Sequence, residues 1–165
     1  MLTFSIYKNI LDYDINLKSI NVKNNVEKNA NKLRVGIRSK FLNYDEVGKK
    51  LIVPFSLDIV ALKDEKDTKT DEETKEKIDK LCNGEDEEFE FKINIVFEVH
   101  LLFDNELSDS DKKSMYLKDY VYSLLEPSLK EIVSYMGNKV GIAGLKLPCK
   151  KLTFNERNME DGNNN

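Results

Sequence analysis

The 165-residue sequence predicts an α+β fold, a four-stranded antiparallel sheet followed by a long C-terminal helix on one face. Three observations carry this prediction. Residues 89–103 place Phe89, Phe91, Ile93, Ile95, Phe97, Val99, Leu101 and Phe103 at every second position, the period of a strand with one face buried along its length. Residues 2–20, 32–42 and 51–62 alternate in the same way. Residues 109–136 then change to a spacing of three and four, the period of an amphipathic helix.

Taken in order, the first strand shows Leu2, Phe4 and Ile6, then Ile10, then Tyr13, Ile15 and Leu17. The phase slips once near residues 9–12, which predicts a bulge or two short strands. The Asn-rich residues 21–31 read as a loop. In the second strand Leu33, Val35, Ile37 and Phe41 face one way, and Arg34, Arg38 and Lys40 the other. Residues 43–50 read as a hairpin connection. The third strand presents Leu51, Val53, Phe55, Leu57 and Ile59 to one face. Pro54 lacks an N–H, so this strand is expected at a sheet edge or bulged there.

Residues 63–88 hold twelve of the chain's 30 acidic residues and six of its 26 basic ones, so the net charge of −4 has a local origin. Thr70 and Glu73 have the spacing of a capping box, ahead of a short helix ending before Asn83-Gly84. The segment is expected to be a solvated hairpin insertion; the alternative is an acidic arm for a basic partner. On the polar side of the fourth strand lie Glu90, Lys92, Asn94, Glu98 and His100, with His100 read as an ordinary surface imidazole. The helix has Asp109 or Ser110 as its cap, and Leu117, Tyr120 or Val121, Leu124, Leu125, Leu129, Ile132, Val133 and Met136 recur along it at three and four. Pro127 should kink or divide it, and Gly137 is a plausible stop. Residues 1–152 form the single domain expected for this length, and 153–165 a disordered polar tail. One helix cannot cover four long strands, so apolar surface is left for oligomerisation or for binding other chains.

No phosphate-binding, metalloprotease, hydrolase or calcium-loop motif is present in the sequence. Cys82, Cys149 and His100 are too few for a four-ligand structural zinc site. No catalytic residue, metal or cofactor is therefore expected, and the chain reads as a non-enzyme. An anionic chain is a poor match to nucleic acid. The N-terminus has no basic region followed by an apolar run, and no stretch approaches the ~20 apolar residues a membrane-spanning helix needs. With its cysteines read as reduced thiols, a cytoplasmic location without membrane insertion is expected.

Residues 124–148, LLEPSLKEIVSYMGNKVGIAGLKLP, resemble the helix-and-turn of the SecB protein-export chaperone family. The matching positions are Leu125, Pro127, Lys130, Glu131, Ile132 or Val133, Met136, Gly137, Leu145, Leu147 and Pro148. Phe4-Ser5-Ile6 and Asp14-Ile15-Asn16-Leu17 are similar to the family's first strand. The chain departs from the family at Lys18, where an acidic residue is usual, in the 63–88 insertion, and after Pro148, where the sequence is too short and polar for the second helix. The resemblance implies an ATP-independent holdase, a dimer or tetramer that keeps unfolded or precursor polypeptides in apolar grooves. It assigns Asp14 to partner docking, with the motor SecA as one partner, although Lys18 reverses a neighbouring charge. It assigns Phe91, Phe97, Phe103, Leu125 and Leu129 to a client groove or oligomer interface. The alternative it implies is a SecB-fold adaptor dedicated to one protein, such as an antitoxin or a phage or envelope protein.

Overall fold

The structure, a computed structural model, describes residues 9–26, 33–63, 70–85, 88–142 and 144–147. Phe4, Ile6, Pro148, Cys149 and the expected tail lie outside the described residues. Strands β1 (Ile10–Asn24), β2 (Leu33–Phe41), β3 (Asp45–Val47), β4 (Lys50–Lys63) and β5 (Phe91–Phe103) form one antiparallel sheet. Its order is β1-β5-β4-β2, with β3 pairing β4 beyond the end of β2. Helices α1 (Asp71–Asn83), α2 (Asp109–Lys112) and α3 (Met115–Lys139) complete the described elements.

The period-two patterns mark the inner face of the sheet as expected. Alternate residues of β4 and β5, from Leu51 to Ala61 and from Phe91 to Phe103, are buried in one core. Leu117, Val121, Leu125, Leu129 and Val133 of α3 recur every fourth residue and lie on that core. Phe55 sits at its centre, edge-on to Phe41 at 5.2 Å and 6.1 Å from the Tyr122 ring.

Several sequence expectations are corrected. The strand carrying Pro54 is interior, between β5 and β2. The missing N–H faces the β2 side, where Leu42 N donates to Pro54 O at 3.0 Å but can receive nothing in return. The ladder breaks there: β2 stops at Phe41, and β3 resumes in a register shifted by one residue. The bulged half of the expectation therefore holds and the edge half does not. The loop expected at 21–31 begins later, because β1 keeps its pairing with β5 to Asn24↔Phe91. The slip near residues 9–12 is a register shift between Ile10 and Asp12, and a second shift lies between Leu17 and Ser19.

Pro127 neither ends nor divides α3, which is continuous through it. Its ring lies on the exposed side, so the carbonyl it leaves unbonded one turn back faces solvent. The helical region divides earlier, at Ser114, between α2 and α3. Gly137 is not a stop. It is buried inside α3 under the returning chain, and a Cβ there would meet Leu145 Cβ at 2.6 Å.

The 63–88 connection joins β4 to β5 and carries the expected helix. Thr70 Oγ1 accepts from Glu73 N at 3.3 Å, and Glu73 Oε2 accepts from Thr70 N at 2.8 Å, closing the capping box. Gly84 ends α1 in the left-handed region, at φ 78°. The helix is not merely solvated, however. Ile78, Leu81 and Cys82 are buried with Val60 and Leu62 in a second, smaller core on the outer face of the sheet. Burial of an aliphatic side chain contributes about 1.5–3 kcal/mol, enough to hold a short helix down.

Candidate polypeptide-binding surface

The apolar surface left uncovered follows from the strand order. β1 lies at one edge of the sheet, and among the described residues nothing pairs with its outer side. Its inner-face residues are Tyr13, Ile15, Leu17, Ile20 and Val22, each opposite a buried residue of β5. Ile15 and Ile20 are half-buried against the core, whereas Tyr13 is 51% exposed, Leu17 47% and Val22 39%. Leu11, at the first bulge, is 62% exposed. On α3 the large side chains Met115, Tyr116 and Tyr135 are also exposed. The result is an apolar strand beside a row of unpaired backbone donors and acceptors, a combination that can accept another extended chain by strand addition.

Asp14 is exposed on the opposite face of β1 and accepts from Asn16 Nδ2 at 3.2 Å. Across the sheet it pairs with His100. Glu98 Oε2 lies 3.2 Å from Lys18 Nζ and 3.4 Å from His100 Nε2. Hydrogen bonds from Lys18 and then His100 hold the Glu98 carboxyl below its ordinary range. His100 is thus half-buried and engaged, not an ordinary surface imidazole. Lys18 pairs with Glu98 on the same face of the sheet, its side chain 51% exposed.

Phe91, Phe97, Phe103, Leu125 and Leu129 all lie in the central core, none more than 3% exposed. Within the chain these side chains pack in one core with the apolar stripe of α3. The available residues are Tyr13, Leu17 and Val22 on the same face, one strand further out. Their sequence signal was the alternation itself; what was missing was the knowledge that β1 is an edge strand.

On the outer face an open groove of about 490 Å³ runs past the C-terminal end of α1, lined in part by Lys23, Lys40, Asp58, Lys92 and Asn94. Lys92 Nζ donates to Leu81 O at 2.6 Å, Lys40 Nζ to Asn83 Oδ1 at 3.3 Å, and Asn94 Nδ2 to the buried Asp58 at 2.9 Å. These groups serve the fold, capping a helix end and joining strands. No group of three or more metal-ligating side chains occurs among the described residues, and no described helix is long and apolar enough to cross a membrane.

No family model and no curated protein sequence matches the chain. Among solved structures it is similar to the SecB-like chaperone Rv1957 of Mycobacterium tuberculosis, determined in complex with a ChAD peptide from the Rv1956 HigA1 antitoxin. The TM-score is 0.64 over 90% of this chain and 96% of that one, at 11% sequence identity. The chain has a SecB-like fold. At this identity the likeness concerns the fold, and the roles of individual residues rest on the geometry above.

Proposed function

We propose that this protein is a nucleotide-independent, non-catalytic chaperone that holds non-native or precursor polypeptides along β1. The observation that carries this reading is the pairing of an open strand edge with the exposed side chains of Tyr13, Leu17 and Val22. Backbone pairing supplies sequence-tolerant affinity, and the apolar side chains add contact area wherever the client offers its own. Self-association to a dimer or tetramer through part of the same strip, and action in the cytoplasm, belong to this proposal. The SecB-like fold supports it.

The second reading is an adaptor for one dedicated protein. What favours it is the SecB-like neighbour, whose structure holds a peptide from an antitoxin. The ion pair between Lys18 and Glu98, on the same face as Asp14, also argues against an acidic docking face for SecA. The test is dilution of a chemically unfolded protein with an equimolar amount of this one and no nucleotide. A general holdase suppresses aggregation, and a double substitution of Tyr13→Lys and Leu17→Lys abolishes suppression. Both sites are exposed, so the unfolding free energy should stay within the ~0.5 kcal/mol scatter of surface changes. Absence of suppression by the unaltered protein would shift the assignment to the adaptor.

A further inference from the structure

The second edge strand carries a surface of different chemistry, at present occupied by the chain itself. On the outer face of β2, alternate residues are Arg34, Gly36, Arg38 and Lys40. Each meets one turn of α1. Arg34 Nη1 donates to Asp71 Oδ1 at 2.9 Å and Thr74 Oγ1 at 3.3 Å. Arg38 Nε donates to Asp79 Oδ1 at 2.6 Å, and Lys40 reaches Asn83. Between the two arginines Gly36 leaves a hole that Ile78 fills; a Cβ at Gly36 would lie 2.5 Å from Ile78 Cγ2. Val60 and Leu62 of β4 form the floor. This is a helix-binding groove with a basic rim, and α1, with five acidic and three basic residues, is its complement in charge and shape.

α1 is held by one small core and a few polar contacts, fewer than tie the strands of the sheet together. Three buried side chains, Ile78, Leu81 and Cys82, anchor it, and its ion pairs to Arg34 and Arg38 are solvent-exposed and therefore weak and salt-sensitive. A helix of 13 residues is marginal without tertiary contacts. Such an element belongs to the low-stability end of a fold and opens before the sheet does.

We propose that the groove on β2 and β4 is a docking site for an acidic amphipathic helix of a partner protein, and that α1 is a built-in occupant which that helix displaces. The partner helix presents an aliphatic side chain to Gly36, a second three residues later, and carboxylates two turns before and beside the first, as Ile78, Leu81, Asp71 and Asp79 do. The site is separate from the β1 strip and stands whether or not β1 binds clients.

The first test uses the full chain with Cys149→Ser, leaving Cys82 as the only thiol. Burial pushes this thiol up, and with α1 docked Cys82 is 9% exposed at the wall of the outer-face groove. Its modification by a disulfide reagent should run at least ~100-fold faster than global unfolding allows, and should accelerate between about 0.05 and 0.5 M salt. Modification no faster than global unfolding overturns the proposal. The second test ejects α1 with Ile78→Asp and Leu81→Asp, or replaces 70–85 by a short Gly-Ser turn. The probe is a fluorescent peptide of residues 70–85 carrying Cys82→Ser. It should bind the α1-ejected protein, bind the unaltered protein at least ~10-fold more weakly because the tethered helix competes, and lose at least ~10-fold with Arg34→Glu and Arg38→Glu. No binding to the ejected protein, equal binding to the arginine variant, or loss of the sheet in both ejected forms overturns the proposal.

Discussion

At the scale of single residues, buried polar atoms and close approaches give the sharpest expectations. The Tyr44 hydroxyl is buried and has no partner among the described residues, and burial pushes its pKa up to about 12. An unsatisfied buried hydroxyl costs about 1–3 kcal/mol, so Tyr44→Phe should raise stability by about 1 kcal/mol in urea unfolding. Because the folded pKa exceeds the unfolded value of about 10, the contribution of the protonated phenol is complete below pH ~10 and is lost as pH rises through ~12. The Phe variant should lose less stability than the unaltered protein across that window. At Gly137, substitution by Ala forces Leu145 and the chain at Ile142 outward, since Ile142 O would lie 3.2 Å from the new Cβ. A loss of about 1–3 kcal/mol is expected by thermal unfolding. Sequence alone could not distinguish this glycine from a helix stop, because what requires it is a segment that folds back upon it.

At the scale of elements, Pro127 and Thr70 separate intrinsic preference from tertiary context. Pro127→Ala restores a helical hydrogen bond on an exposed turn of α3 and removes a ring clash, so it should stabilise by about 1 kcal/mol or more in the same assay. A loss of stability would mean that Pro127 itself is needed to seat Leu125 and Leu129. Thr70→Ala removes half of the capping box and should cost α1 about 1 kcal/mol, seen as faster amide exchange in α1 with β5 unchanged. Here the sequence was informative. Capping boxes, left-handed glycines and period-two strands are local rules, and Thr70, Gly84 and the β4 and β5 patterns obey them. Pro54 was half legible: its missing donor predicts a break, but which strand suffers it depends on the sheet order. Phe91, Phe97 and Phe103 show the limit from the other side. Alternation identifies the face of a strand that turns inward, and only the position of α3 determines whether inward means core or groove.

At the scale of the molecule, the two edges of the sheet have been treated differently. β2 is overlaid on its outer face by α1, whose Asp71 and Asp79 pair with its arginines, whereas β1 carries exposed apolar side chains and an edge with no described partner. The two proposed sites differ in chemistry, one for an extended apolar chain, the other for an acidic helix. They should respond oppositely to salt: binding along β1 should strengthen with a salting-out anion such as sulfate, and binding over β2 should weaken with any added electrolyte. A titration in which both respond with the same sign would indicate a single shared surface.

The second register shift in β1, between Leu17 and Ser19, limits what the open edge can hold. A bulge breaks the regular sequence of backbone donors and acceptors along a strand. The edge is therefore two short landing strips, residues 12–17 and 19–24, each about 20 Å long at ~3.3 Å per residue. A straight visiting strand can dock along one of them but must kink or let go to continue onto the other. The natural footprint is then about half a dozen residues, repeated out of phase, so a long unfolded chain would be gripped at intervals and could be released one grip at a time.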